Sequence, residues 1–204
     1  MKSINKMVSA ALLAGTLVFA ITGCEKTLNG PGKSNFMNDS RQIAAGCSND
    51  IPDSLQVPDG NKLTLQVYAK GVQIYQVQQS LNDNNVYLWV NIAPSATLYA
   101  KENYINQLGI HYKGPTWEFT KGRYKDEKVV AKKLRAVTQD ATAIPWLLLQ
   151  AVDSLSSAGN AITYIQRIYT EGGLAPAKPA TQNNLGELDS IPYTAVYRFY
   201  EAKH

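Results

Sequence analysis

The chain has 204 residues, with 20 Lys and Arg against 16 Asp and Glu, for a formal net charge of +4. So small an excess of positive charge argues against nucleic-acid binding. Two cysteines, Cys24 and Cys47, are too few for a disulfide framework, and the length suits one domain plus a tail.

The N-terminus has the pattern of an export signal. Lys2 and Lys6 precede an apolar stretch at 7–21, which is shorter than the about 20 residues that cross a bilayer. The stretch ends in Ile21-Thr22-Gly23-Cys24, which resembles the lipobox at which lipoprotein signals are cut. We therefore predict a lipoprotein signal peptide at 1–23 and lipidation of Cys24.

Lipid on Cys24 would anchor the protein to a membrane. Several acyl chains, such as palmitate, on one cysteine hold a protein stably where one chain does not. Glu25 favours the outer membrane by the resemblance to well-studied lipoproteins, with the domain on either face of it. If Cys24 is acylated, Cys47 has no partner within the chain, so we predict no intramolecular disulfide.

The mature chain is predicted to have two parts. Loss of residues 1–23 leaves 181 residues with 18 basic and 16 acidic side chains. Residues 24–56 are polar, without a sustained apolar period, which indicates a flexible tether. Residues 57–204 are predicted to form the folded domain.

Alternation with a period of two begins after Pro58. Residues 63–70 alternate apolar and polar, Gly71 interrupts, and 72–77 alternate again, which predicts two strands. Shorter strands are predicted in the segments 86–93, 97–99, 111–112, 116–119 and 128–137.

The last strands complete a mostly β domain. Residues 144–152 are almost wholly apolar, which fits a strand covered on both faces or a buried helical turn, and we favour the strand. Further strands are predicted at 161–170 and 191–200. About nine short strands with turns between them indicate a single antiparallel β-sandwich or barrel-like domain.

Several segments together resemble one family. They are Val57-Pro58-Asp59-Gly60-Asn61, Ala93-Pro94-Ser95-Ala96-Thr97-Leu98, His111-Tyr112-Lys113-Gly114-Pro115-Thr116-Trp117-Glu118, Ala143-Ile144-Pro145-Trp146 and Pro192-Tyr193-Thr194-Ala195. This pattern is similar to DUF3455, a family of exported bacterial and fungal proteins of unknown function. The resemblance implies no established activity and no catalytic residues.

The stretch around His111 is the most suggestive for chemistry. His111 could act as a general base with Glu118 as its carboxylate partner across the Gly-Pro turn, or it could be a hydrogen-bonded structural histidine, which we favour. The sequence has no common hydrolase, phosphate-binding or dinucleotide motif, and one histidine is too few for the usual zinc sites. We therefore predict no catalytic residue, no metal and no cofactor.

Trp117 and Arg167 are the other candidate ligand-binding residues. An aromatic face can stack on a sugar or another planar ligand, although large aromatic side chains in β proteins mostly belong to the core. Arg167 lies in a strand pattern; pointing inward it would need an acid such as Glu118 or Glu171, and an outward, solvated side chain is favoured.

The sequence leaves three functions open. The leading hypothesis is a non-enzymatic, lipid-anchored envelope module that binds a small or carbohydrate-like ligand, or a partner protein. An alternative is an envelope enzyme of unfamiliar type centred on His111 and Glu118. A third is a structural envelope scaffold without a ligand pocket.

Overall fold

The computed structural model describes residues 51–155 and 161–203. The predicted signal peptide, Cys24, Cys47 and most of the predicted tether lie outside these residues. The elements in chain order are η1 (Asp53–Leu55), β1 (Asn61–Gln79), β2 (Tyr87–Tyr99), β3 (Gln107–Tyr112), β4 (Thr116–Phe119), β5 (Lys128–Val137), β6 (Trp146–Leu155), β7 (Ile162–Gly172), η2 (Gln182–Asn184) and β8 (Leu188–Ala202). Within the described ranges, no helix has the length and apolar character needed to cross a bilayer.

The eight strands form one closed antiparallel barrel in sequence order. Each strand pairs with the next, and β8 returns to pair with β1 along most of its length. The prediction of a mostly β, antiparallel domain is confirmed, and of its two forms the structure adopts the barrel. Eight strands enclose an interior just wide enough to be filled by side chains or to hold one small ligand.

Gly71 does not end a strand, contrary to the prediction. β1 continues through it and stays paired with Ala96 of β2 and Tyr193 of β8. A Cβ atom at position 71 would lie 2.1 Å from the Ser95 carbonyl oxygen and 2.5 Å from Cα of Ala96. Glycine is therefore needed here because two strands approach closely, not because the chain turns.

Pro94 does not separate two strands either. The segments predicted at 86–93 and 97–99 belong to one strand, β2, which crosses Pro94 while paired with Gln73 of β1. Pairing of β2 with β3 extends from Ala96 to Tyr99, so Pro94 lies where β2 is paired on one side. Proline is tolerated at such an edge. With these two mergers, the ten segments predicted as strands correspond to the eight strands of the barrel.

The barrel interior is an apolar core rich in aromatic rings. The rings of Phe119, Trp117 and Tyr197 pack around Phe199, with centroid distances of 5.4 Å from Phe119 to Phe199 and 5.9 Å from Trp117 to Phe199. Aliphatic residues of β1, β2 and β7, including Val67 and Leu98, complete this core. These aromatic rings fill the centre of the barrel as a packed layer, called the aromatic layer below.

A second core lies outside the barrel. Leu55 of η1 is fully buried against Trp146, Leu148 and Ile168. The Gln166 side chain donates a 2.7 Å hydrogen bond from Nε2 to the Leu55 carbonyl. Residues 51–55, part of the predicted tether, are thus packed on the barrel wall.

This outer core explains the apolar run at 144–152. In β6, Leu149 faces the barrel core, while Trp146 and Leu148 face the outer core under η1. Both faces of the strand are covered, which removes the usual alternation of apolar and polar residues. The predicted strand is confirmed over Trp146–Leu155.

Candidate functional site: a cavity in the barrel

A cavity of about 220 Å³ lies inside the barrel beside the β3–β4 turn. Its apolar wall includes Pro94, Pro115, Leu147 and Leu149. Six polar side chains also line it: Gln73, Asn91, His111, Lys133, Arg167 and Tyr197. The indole of Trp117 completes the lining.

The turn between β3 and β4 places His111 beside Trp117. Gly114 has φ +95°, a left-handed conformation that favours glycine, and it closes the turn. His111 then pairs with Trp117 across the hairpin, and both side chains face inward. Their rings stack with a centroid distance of 4.4 Å and an interplanar angle of 11°.

His111 is a neutral, hydrogen-bonded histidine. It is 3% exposed, and its Nδ1 lies 2.8 Å from the Thr116 carbonyl oxygen. Because a carbonyl can only accept, Nδ1 carries the proton and Nε2 keeps a lone pair. Burial lowers the pKa of His111 to about 3, and Arg167 nearby acts in the same direction. His111 therefore stays uncharged at neutral pH.

Glu118 does not belong to this site. In β4, Trp117 faces inward, so the neighbouring Glu118 faces outward. Its Oε2 accepts a 2.8 Å hydrogen bond from the Tyr112 hydroxyl. The predicted partnership of His111 with Glu118 is thus wrong, because the two side chains lie on opposite faces of the barrel wall.

Arg167 faces into the barrel, contrary to the favoured prediction of an outward side chain. It lies on the same face of β7 as Ile165 and pairs with Leu147 of β6 and Tyr197 of β8. Its Nε and Nη2 donate to the Pro145 carbonyl at 3.2 and 2.8 Å.

Neither predicted acid accompanies Arg167. Glu118 bonds to Tyr112, and Glu171 accepts a hydrogen bond from Thr194. The ion pairs among the described residues are Lys125–Asp126 and Lys178–Glu187. The guanidinium therefore sits in the barrel without a carboxylate, held by one backbone carbonyl.

Three buried side chains of the cavity wall have polar atoms without a hydrogen bond. They are Nε2 of Gln73, Nε1 of Trp117 and the hydroxyl of Tyr197, and the three residues are 4%, 1% and 1% exposed. The other end of the Gln73 amide is fixed, because its Oε1 accepts from Asn91 Nδ2 at 2.9 Å.

The Tyr197 hydroxyl lies beside other polar groups. Burial raises its pKa, so the hydroxyl stays protonated. Arg167 and Tyr193 are near enough to act on this pKa as hydrogen-bond partners, and Gln73 acts on Tyr193 in the same way, although none of these contacts has full hydrogen-bond distance and angle.

Of the seven polar or aromatic side chains that line the cavity, the sequence identified three and missed four. His111, Trp117 and Arg167 are brought together, whereas Glu118 is excluded. Gln73, Asn91, Lys133 and Tyr197 were not predicted. The alternation in β8 contained a usable signal for Tyr197, and that in β1 contained one for Gln73 only if the strand is continued through Gly71. Among the described residues, no group of three or more His, Cys, Asp or Glu side chains could hold a metal ion.

Fold and cavity together define an up-and-down barrel with a small internal site. A family model described as "Protein of unknown function (DUF3455)" matches residues 58–201. The chain belongs to this family, as its sequence resemblance suggested.

Two further comparisons add little about function. No curated protein matches the chain. Among solved structures the chain is similar to a pterocarpan synthase dirigent protein, with 13% sequence identity and a TM-score of 0.38, over 73% of this chain and 90% of that one. So distant a likeness carries no functional argument.

Proposed function

We propose that the barrel is a non-enzymatic module that binds a small ligand in its cavity, carried by a lipoprotein held at the cell envelope through Cys24. The observation that supports binding most directly is an open space in the barrel whose wall combines apolar side chains with Arg167 and Lys133 and, among the described residues, no acidic side chain. Pockets that bind small molecules are typically apolar with a few polar groups of this kind. A ligand that contacts Arg167 and the apolar wall would fill this space.

The alternative is an envelope enzyme with a His–acid centre, and the described residues contain no such centre at His111. His111 is neutral, bonded to a backbone carbonyl and separated from Glu118 by the barrel wall. A general base usually needs a pKa near the working pH, and a pKa of about 3 is far below it. The scaffold alternative does not account for a cavity lined by Arg167, Lys133 and apolar side chains.

The binding proposal is tested by filling the cavity. The full mature chain with Cys24→Ser would be screened by saturation-transfer NMR against single-ring compounds that are anionic, neutral or cationic. We expect at least one class to bind, and Leu147→Trp to abolish its signal because Leu147 lines the cavity. Leu88→Trp is the matched control, since Leu88 is 50% exposed on the outer surface. Binding that survives Leu147→Trp, or no binding by any compound, would overturn the proposal.

The lipid anchor is tested separately in cells. The proposal rests on Lys2, Lys6 and the Ile21–Cys24 pattern. Cys24→Ser should move the protein from the membrane fraction to the soluble envelope fraction, because only an acylated thiol supplies the anchor. Cys47→Ser should leave the fractionation unchanged. Membrane association of both variants at the wild-type level would contradict the lipoprotein assignment.

A further inference from the structure

We infer that the ligand is a small organic anion with one ring, and that Arg167 binds its carboxylate or an equivalent oxyanion. This inference rests on the proposed function, since it names the chemical class of the molecule that enters the cavity.

The charge of the cavity favours an anion. Arg167 and Lys133 both line it, and among the described residues no aspartate or glutamate does. A cation on the wall of a partly enclosed pocket attracts an anion more strongly than it does in bulk water. Arg167 also acts on side chains of three other strands: it opposes the rise in pKa that burial causes at Tyr75 and Tyr197, and it adds to the fall in pKa that burial causes at His111. Its charge therefore reaches around the cavity.

Arg167 has donors left for a ligand. The guanidinium carries five N–H groups, and its hydrogen bonds to Pro145 come from Nε and Nη2. These contacts fix the orientation of the plane and leave the donors of Nη1. An oriented guanidinium is the side chain best suited to a planar carboxylate, because little flexibility is lost on binding.

The volume and the apolar wall set the size of the ligand. Cavities of roughly 150 Å³ hold benzene, so about 220 Å³ suits one ring with a small substituent. Pro94, Pro115, Leu147 and Leu149 offer apolar surface for the ring. An inorganic oxyanion would leave this surface without contact.

Benzoate and benzamide form the test, because they have nearly the same shape and differ in charge. With the full mature Cys24→Ser chain at low ionic strength, we expect benzoate to bind at least about tenfold more tightly than benzamide, as charge-assisted hydrogen bonds are stronger than neutral ones. Sulfate should displace benzoate only at much higher concentration. Equal binding of the two ring compounds would overturn the anion inference and leave the binding proposal standing, whereas absence of binding by all would overturn both.

Arg167→Gln tests whether Arg167 is the residue that binds the carboxylate. We expect it to reduce benzoate affinity at least about tenfold and to leave benzamide affinity nearly unchanged. Arg198→Gln is the matched control: Arg198 lies on β8 next to Tyr197 but faces outward, where its Nε donates to Gln66 Oε1 at 2.9 Å. Equal effects of the two arginine variants would refute the role of Arg167.

Two further variants test the same assignment if Arg167→Gln folds poorly. Arg167→Lys retains the charge and should retain part of the preference for benzoate. Lys133→Gln changes an exposed side chain at the cavity and should weaken benzoate about threefold or less, since solvent screens its charge. A larger loss of the preference for benzoate in Lys133→Gln than in Arg167→Lys would refute the role of Arg167, because the charge that selects the anion would then come from Lys133.

Discussion

The two ends of the barrel interior carry opposite chemistry. At the cavity end, Arg167 and Lys133 line an open space that has, among the described residues, no acidic side chain. At the other end, Glu127 and Glu201 are each 1% exposed, and the Tyr124 hydroxyl donates to Glu201 Oε1 at 3.0 Å. The aromatic layer of the core lies between them.

The difference shows how polar groups in one barrel serve two purposes. Tyr124 packs on Phe119 and shares a further hydrogen bond with the Thr64 hydroxyl, so its polar atom is bound within the fold. Tyr197 is buried as deeply but has no such partner. The two ends therefore differ in this hydroxyl and in the open space beside Arg167, whereas each end holds a buried oxygen without a hydrogen bond, Glu201 Oε2 at one and the Tyr197 hydroxyl at the other. We interpret only the end with the open space as a ligand site.

The largest loss of stability is expected from a cavity in the aromatic core, which lies between the two ends of the barrel interior. Trp117→Ala removes a fully buried indole that packs on His111, Tyr197 and Phe199. We expect a loss of about 3–5 kcal/mol in the free energy of unfolding, measured by urea denaturation. Leu88→Ala, at an exposed site, should cost less than about 1 kcal/mol. A loss for Trp117→Ala no larger than this control would show that the layer is not a packed core.

Acid should weaken the cavity end through His111. Its pKa is about 3 in the folded chain and about 6.5 when unfolded, so the unfolded chain binds more protons between these values. The contribution of His111 is complete above pH 6.5 and is lost as the pH falls toward 3, amounting to several kcal/mol.

Urea denaturation of His111→Phe at a series of pH values isolates the contribution of His111 to the free energy of unfolding. The variant should lose less stability than the wild type between pH 7 and pH 4. All other titratable groups are common to the two proteins, so the difference between the two curves is the relevant quantity. Parallel curves would mean that His111 is not buried as a neutral base.

The smallest effects come from two matched hydroxyl deletions, which test the comparison most directly. Tyr124→Phe leaves Glu201 Oε1 without its donor and should cost about 1–3 kcal/mol. Tyr197→Phe removes a buried hydroxyl whose contacts with Tyr193 and Arg167 lack full hydrogen-bond geometry, and it should not lower the free energy of unfolding. Equal costs in thermal or urea unfolding would show that the two ends do not differ as described.

Much of the fold was predictable because alternation and turn residues are local signals. The predicted limits of β4 and β5, at 116–119 and 128–137, agree with the structure. Gly71 and Pro94 were misread because the same residue types either end a strand or allow strands to meet closely. Which of these applies depends on the pairing of distant segments, which no short window contains.

The cavity was less predictable than the fold. After Gly71 the apolar residues Val72 and Ile74 suggested one face of β1, but the inward residues are Gln73, Tyr75 and Val77. Closure of the barrel keeps the odd positions inside regardless of polarity. The polar Gln73 faces inward because the interior there is an open site rather than a dry core.

The packing of η1 on the outer wall has a mechanical consequence. Leu55 is fully buried, and its carbonyl is bound by Gln166 of β7, whereas the first barrel strand begins at Asn61. Tension on the chain preceding Ile51 would therefore be carried first by this contact and transmitted into β7, not into the end of β1. Such a force would reach the contact between Leu55 and Gln166 before it reached the pairing of β1 with β8, on which closure of the barrel depends.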